Sequence, residues 1–380
     1  MRITMLASVP FPPREGIGFY VWNLSRHLQH QGHQVQIITR GGARSLTRHV
    51  IDGIPIWRPP FLPIYPLHVH LHGLFVNRLL RVIESGLDII HAHTPLVKCP
   101  RVQLPVVATV HTSMRADTAA VQPDTVLGAL VKFQAPVSMA LEQQLLGNGA
   151  KIAAVSASVA QELDRYGLSP SEVTVLGNGA DTSIFYPNGF SGRVHSRYFL
   201  TAGRLAPRKG LEDLIEAAVP VIEQHPAIQF WIAGSGPMYG RLRMLIARKN
   251  LNNTVKLLGH ISERSRMRAL YQRSIAYVHP AHYEGLPTVL LEAMACGRPV
   301  ITTAVSGSLD VIQHGINGLL TPPQQPNTLA KTLLAVLDDE AWAVKLGTAA
   351  LHTIQERYAW DNVSRNYANL YEEALGKSGA

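Results

Sequence analysis

Only two cysteines, Cys99 and Cys296, occur in 380 residues, and no Cys-x-x-Cys pair brings two thiols together. A disulfide framework and a thiolate zinc site are thereby excluded, and a reducing compartment is expected. No apolar run approaches the roughly 20 residues that span a bilayer, so the chain reads as cytoplasmic, with any membrane contact peripheral, at the inner face. The opening MRITMLASVPFPP has one charged side chain and an apolar run cut short by prolines. It is too short for a secretory signal and reads as a buried first strand. Charged residues make up only 16% of the chain, and no low-complexity tract argues for disorder. A basic arm is also missing. The net charge of +9 divides into 15 basic and 11 acidic side chains through position 188 and 20 and 15 after it, so the excess is even and no nucleic-acid partner is expected.

At roughly 150 residues per domain the length predicts two domains. Short apolar runs alternate with helix-period segments: RITML, then FYVWNLSRHLQH with Tyr20, Val21, Leu24 and Leu28 on one face, then VQIIT. The rhythm continues through DIIHAH, PVVATVH, KIAAVS and EVTVL. It restarts at RYFLTAG and runs through IQFWIAG, VKLLG, IAYVHP and PVITT. Continuous apolar strands imply parallel sheets covered by helices on both faces. The fold expected is α/β, with two doubly wound domains in tandem. The polar stretch YPNGFSGRVHSR, 186–197, is the candidate linker, which puts one domain at 1–187 and the other at 188–360. A last helix has Trp360, Val363, Tyr367 and Leu370 at helical spacing.

Ligands of open parallel sheets bind beyond the carboxyl ends of strands. Two glycine-rich segments sit there, REGIGFY with Gly16 and AGSGPMYG with Gly234, and each reads equally as a phosphate loop or a tight strand-to-helix turn. A dinucleotide site requires an acid at the end of the next strand. Arg40-Gly41 and His260 stand there instead, which weakens an oxidoreductase reading. GRLAPRKG places Gly203, Arg204 and Lys209 on one loop, either an anion site or a solvated turn. In HPAHYEGLPTVLLEAMACGRP, Glu284 precedes a helix beginning near Pro287, and Glu292 follows eight residues later. The N–H groups of Gly285, Leu286 and Thr288 would face the strand-end crevice. Glu292 either binds a ligand or pairs with Arg298. His68, His70 and His72 in PLHVHLHG are read as an extended polar loop rather than a metal site, and His91 and His93 as strand-end residues. WRPPFLPIYPLHV, 57–69, is an apolar, proline-rich loop that is either packed or exposed to a lipid surface.

Taken together these segments resemble the nucleotide-sugar glycosyltransferases of the GT-B fold, most closely the retaining family 4. The likeness runs in order through GIGFYVWNLSRHLQHQGHQV, DIIHAHTP, TVHTSM, VSASVAQEL, NGAD, GRLAPRKG, AGSGPM, LLGHIS, the E-x7-E block EGLPTVLLE and HGINGLL. It implies two Rossmann-like domains, an amino-terminal one for the acceptor and a carboxyl-terminal one for the donor, with a helix at about 361–380 returning to the first. It also implies roles. Arg204 and Lys209 would bind the donor diphosphate and stabilise the leaving group, with Gly203 and Gly234 in the loops around it. Glu284 would hold donor-sugar hydroxyls beside Gly285, Leu286, Pro287 and Thr288. Glu292 would grip the ribose, and His260 and Ile261 would lie by the base. His111 would contact the donor sugar, with Asp117 a second acid/base candidate, and Gly16 would approach phosphate.

Two departures from the family pattern stand out: Glu15-Gly16 replaces a common Gly-Gly pair, and SGSLDVI, with Ser306 and Asp310, replaces a Gly-Gly-x-Pro-Glu run. No Asp-x-Asp occurs anywhere, so the leaving group would be met by protein cations without a metal or other cofactor. The expected function is retaining transfer of a sugar from a UDP- or GDP-sugar to a hydroxyl of a glycan, lipid or small molecule. The alternatives are a nucleotide-sugar epimerase or hydrolase on the same fold, and a nucleotide-sugar-binding subunit without turnover.

Overall fold

The computed structural model describes residues 1–13, 16–115, 118, 126–188 and 197–376. Glu15, Asp117 and most of the 186–197 segment fall outside them. The chain divides into two compact units, Met1–Gly177 with Trp360–Ala380, and Asn178–Ala359.

The first unit is an eight-stranded sheet. Its strands are β1 Arg2–Ala7, β2 Gln34–Ile38, β3 Thr47–Ile51, β4 Ile54–Arg58, β5 Ile89–Thr94, β6 Val106–Val110, β7 Lys151–Ala154 and β8 Val173–Val175, in the order β3-β4-β2-β1-β5-β6-β7-β8. All neighbours are parallel except β3 and β4. That hairpin departs from the all-parallel expectation. Asp52-Gly53 makes it possible, because both residues adopt positive φ, 48° and 79°, as a two-residue primed turn requires. The core strands carry apolar side chains on both faces: Ile3, Met5, Ile89, Ile90 and Val107 are wholly buried. Helix Gly16–His30 follows β1 and buries Tyr20, Val21, Leu24 and Leu28, the face given by its periodicity.

The second unit is a six-stranded, wholly parallel sheet of β9 Tyr198–Ala202, β10 Gln229–Ala233, β11 Val255–Gly259, β12 Tyr277–His279, β13 Val300–Thr303 and β14 Leu319–Thr321, ordered β11-β10-β9-β12-β13-β14. Both units are thus the doubly wound α/β architecture that the alternating pattern implies. The unit boundary lies earlier in sequence than the polar 186–197 segment. The physical reason is packing: Asn178 donates to the Leu286 carbonyl, Ile184 and Tyr186 accept from Arg268 and Gln272, and the Phe185 ring meets Tyr271. Residues after Gly177 are therefore held by the second unit although no strand or helix begins there.

The last helix, Trp360–Ala374, belongs to the first unit. Trp360, Val363, Tyr367 and Leu370 are buried along one face. The Tyr367 hydroxyl is tied into the core as well: Tyr20 donates to it at 2.7 Å, and it meets Thr109 at 2.8 Å. Tyr367→Phe leaves the buried Tyr20 hydroxyl without its acceptor. The expected loss is about 1–3 kcal/mol, read as a lower urea midpoint at unchanged m-value.

Candidate active site

In the second unit the chain leaves β9 toward β10 and β11, then returns to β12 on the other side of β9. The carboxyl ends of β9 and β12 therefore form a switch point, where a crevice opens between diverging connections. GRLAPRKG leaves β9 there, and HPAHYEGLP leaves β12. The first folds into a single turn, Pro207–Lys209, ahead of helix Leu211–Gln224. The two loops are joined by the His282 N–H donating to the Arg208 carbonyl at 2.8 Å, and His282 Nε2 meets Asp213 at 2.7 Å.

This joint brings Lys209 onto Glu284. Lys209 Nζ pairs with Glu284 Oε2, Arg208 Nη1 lies 3.3 Å from Oε1, and His279 Nε2 lies 3.5 Å from Oε2. Burial pushes the Glu284 carboxyl upward, but Lys209, His279 and Arg208 outweigh it and hold it well below the usual carboxylate range. Glu284 is consequently an ionised carboxylate at neutral pH. Arg204 is exposed and has no ion-pair partner among the described residues. It lines a small cavity with Gly203, Lys209, His279 and Pro280.

Helix Thr288–Ala295 starts one residue later than expected, with Pro287 as its cap. The N–H groups of Gly285, Leu286 and Thr288 find no acceptor among the described residues, so the positive end of this helix is open to an anion. Glu292 on the same helix does not pair with Arg298, whose guanidinium reaches the Ser274 carbonyl instead. It accepts from the Tyr271 hydroxyl at 3.1 Å and lies 3.6 Å from Arg264. Burial raises its carboxyl to about 7, with Arg264 and Tyr271 only partly opposing.

Two glycines owe their identity to close approach. A Cβ on Gly234 would occupy the Gly203 carbonyl, so the AGSGPM loop is glycine-rich because it packs against GRLAPRKG. A Cβ on Gly307 would strike the Gly285 carbonyl, and the Gly307 N–H donates to the Glu284 carbonyl at 3.2 Å. In SGSLDVI, then, the residue that touches the site is Gly307. His260 and Ile261 follow β11, the edge strand two places from β9, with His260 exposed.

In the first unit His111 follows β6, and its ring stands edge-on to Tyr20 at 4.6 Å and stacks on His93 at 5.5 Å. His93 Nδ1 lies 3.3 Å from His111 Nε2. Beneath them His91 is fixed by the Tyr371 and Thr109 hydroxyls, each at 2.7 Å. Burial lowers His91 and His111 to about 3, so both are neutral. Gly16 opens its helix with empty space where a Cβ would stand. His68, His70 and His72 form no extended loop. They begin helix His68–Ile83, where His68 and His72 are buried and His72 Nδ1 meets the Pro60 carbonyl. No metal-binding group of histidine, cysteine and carboxylate side chains forms among the described residues.

Sequence reasoning missed His279, Arg208, His282 and Gly307. A signal for His279 existed, since it ends β12, and Arg208 adjoins Lys209. Gly307 could be found only by seeing which backbone it touches.

Residues 14–184 match the family model described as Glycosyltransferase Family 4, and residues 191–353 match Glycosyl transferases group 1. An uncharacterized glycosyltransferase of Methanocaldococcus jannaschii is 26% identical over the whole of both chains. Glycogen synthase of Mycobacterium tuberculosis is 28% identical, covering 98% of this chain and 94% of its own. The structure of sucrose-phosphate synthase from Thermosynechococcus elongatus matches with a TM-score of 0.81 over 99% of each chain at 22% identity, a likeness of fold.

Gly307→Ala is expected to displace the Gly285 loop and weaken nucleotide binding at least tenfold by calorimetry, whereas Gly16→Ala keeps the wild-type melting temperature. Between pH 4.5 and 6.5 the buried histidines, His91 and His111 among them, act with one sign and Glu292 with the other. The unfolded chain protonates His91 near 6.5 while the folded one refuses the proton until about 3, so this term raises stability with pH. Folded Glu292 holds its proton to about 7 against 4.5 unfolded, so its term lowers stability with pH. His91→Asn should flatten the pH profile of the urea midpoint and Glu292→Gln should steepen it, each by up to about 1.4 kcal/mol per pH unit.

Proposed function

Because the chain belongs to the group 1, family 4 glycosyltransferases, whose family models take in its second and first halves, we propose that it moves a sugar from a nucleotide diphosphosugar to an acceptor hydroxyl, with retention of anomeric configuration and without a bound metal. The observation that carries this reading is the meeting of Lys209, Arg208 and the open N–H groups of Gly285, Leu286 and Thr288 at the β9–β12 switch point. UDP- and GDP-sugars are the donor class; a glycan, a lipid or a small molecule supplies the hydroxyl.

The chemistry follows from charge. As the bond between the anomeric carbon and the phosphate oxygen breaks, negative charge grows on the diphosphate and positive charge on the sugar. Lys209, with Arg204 and the Thr288 helix end, answers the first, and each such preorganised group is worth about 3–4 kcal/mol in a water-poor site. Glu284, kept ionised, accepts sugar hydroxyls and faces the positive ring. The Lys209 and Arg208 charges also make that carboxylate tolerable beside a diphosphate. Glu292 accepts from the ribose hydroxyls, held in place by Arg264 and Tyr271. His111, in the first unit, is neutral and offers a hydrogen bond without charge. The acceptor oxygen bonds to the anomeric carbon on the face the phosphate leaves, and its proton passes to the departing phosphate oxygen, so no side-chain base is required.

Lys209→Ala is expected to lower turnover about 100-fold, measured as nucleotide released together with sugar appearing on an acceptor. An unchanged rate rejects the assignment. Proton NMR of the product should show the donor's anomeric configuration, and turnover should be the same with EDTA as with added magnesium or manganese. Epimerised sugar without nucleotide release would instead identify an epimerase, and binding without turnover a binding subunit.

A further inference from the structure

Beyond His111 and Thr112, three successive residues are held from outside their own strand. The Ser113 hydroxyl donates to Glu162 Oε2 at 2.7 Å, the Met114 N–H donates to Glu142 Oε2 at 2.9 Å, and the Arg115 guanidinium lies 5.1 Å over the Tyr166 ring. Glu142 belongs to helix Val126–Leu146, Glu162 ends helix Ala157–Glu162, and Tyr166 ends the turn that continues it. All of these elements lie in the first unit, so the clamp is built within that unit.

Glu142 is its centre. The residue is only 3% exposed, and its Oε2 accepts a second hydrogen bond from the Tyr166 hydroxyl at 2.5 Å. Glu142 Oε1 and the buried Thr94 hydroxyl have no hydrogen-bond partner among the described residues, yet Thr94 lies close enough to lower the carboxyl. Thr94 follows His93 at the end of β5, and Met114 stands just past the end of β6. One carboxyl group therefore reaches the ends of both strands that carry the paired histidines. The rings of His93 and His111 are fixed by Tyr20 and by each other, while Glu142 holds the backbone just beyond His111.

That placement is unfavourable by charge alone. Burial raises the Glu142 carboxyl; Tyr166, Met114 and Thr94 oppose the rise and the Glu162 charge adds to it. No cation pairs with Glu142 among the described residues. A leucine would fill the volume without desolvating a charge. The carboxylate adds direction, because two charge-assisted hydrogen bonds from separate segments meet on one oxygen.

We propose that Glu142 is a positioning residue of the transfer reaction: with Tyr166 it holds the segment after β6 and so sets where His111 stands. This rests on the transfer reading above, with His111 as a hydrogen-bonding group of the first unit. The test uses the full chain and the variants Glu142→Leu, Glu142→Gln and Tyr166→Phe. Three readouts are compared: nucleotide released from UDP-glucose or GDP-mannose, whichever the wild type cleaves; affinity for UDP and GDP by calorimetry; and the His111 ring by nitrogen-15 NMR. Glu142→Leu should lower kcat about tenfold or more, leave nucleotide affinity within about twofold, and move the His111 ring signals. Glu142→Gln, whose amide oxygen still accepts from Met114, should restore kcat to within about threefold of wild type and leave those signals in place. Tyr166→Phe, at a half-buried position, removes one of the two donors, should lower kcat about threefold or more, and decides the matter by the same readouts if Glu142→Leu does not fold. A wild type that binds nucleotide and cleaves neither sugar fails the transfer reading; positioning by Glu142 is then upheld by His111 signals that move with leucine and not with glutamine. Unchanged kcat in both Glu142→Leu and Tyr166→Phe, a fall in kcat matched by an equal loss of nucleotide affinity, or His111 signals unmoved in both would overturn the proposal.

Discussion

The second unit depends on one arrangement, a nearly buried carboxylate kept ionised by surrounding cations. Glu284 alone in its pocket would take a proton; Lys209, with Arg208 and His279, prevents it. The surrounding architecture serves that pairing. Strands β9 and β12 must be neighbours although 75 residues separate Lys209 from Glu284. His282 must join the two loops, and Gly307 must lack a side chain so that the Gly285 backbone can lie against it. In the proposed transfer the same ionised carboxylate would answer a positive sugar while its cationic neighbours answer a negative phosphate, so that one ion pair serves both poles of a dissociating glycosyl bond.

The first unit works by the opposite device. His91, His93 and His111 are stacked in a low-polarity environment with Tyr20, Tyr367 and Tyr371 closing hydrogen bonds around them. Desolvation lowers the pKa of these imidazoles, so they stand neutral and add no charge to the unit. Two of the ring partners come from the final helix, hundreds of residues downstream of the histidines. Its role in the unit is therefore both to fill the core with Trp360 and to fix the state of the residues above it.

Much of this was readable from residue order. Alternating apolar strands and amphipathic helices gave the doubly wound architecture, since a strand buried on both faces has no polar side to alternate. Arg204, Lys209 and Glu284 stood out because charged residues after buried strands require a reason, and Glu292 because a carboxylate in an apolar helix does. The β3–β4 hairpin was not read, although Asp52-Gly53 suits its turn, because short polar strands such as Thr47–Ile51 lack the apolar period that reveals a strand. The three histidines of PLHVHLHG read as extended because their spacing is two; in the fold the segment opens an amphipathic helix, and tertiary packing buries His68 and His72 on one side of it.

Sequence by itself determined the class of fold, the family resemblance, and which charged residues sit at strand ends, because periodicity and local turn chemistry act over a few residues. It could not decide protonation or partnership. That Glu292 turns to Arg264 and Tyr271 rather than Arg298, that buried Glu142 meets Met114 and Tyr166, and that Gly307 is indispensable while Gly16 has room to spare depend on which backbone and side chains arrive from distant parts of the chain. Desolvation and close contact are properties of three-dimensional neighbourhoods, and only the tertiary structure creates them.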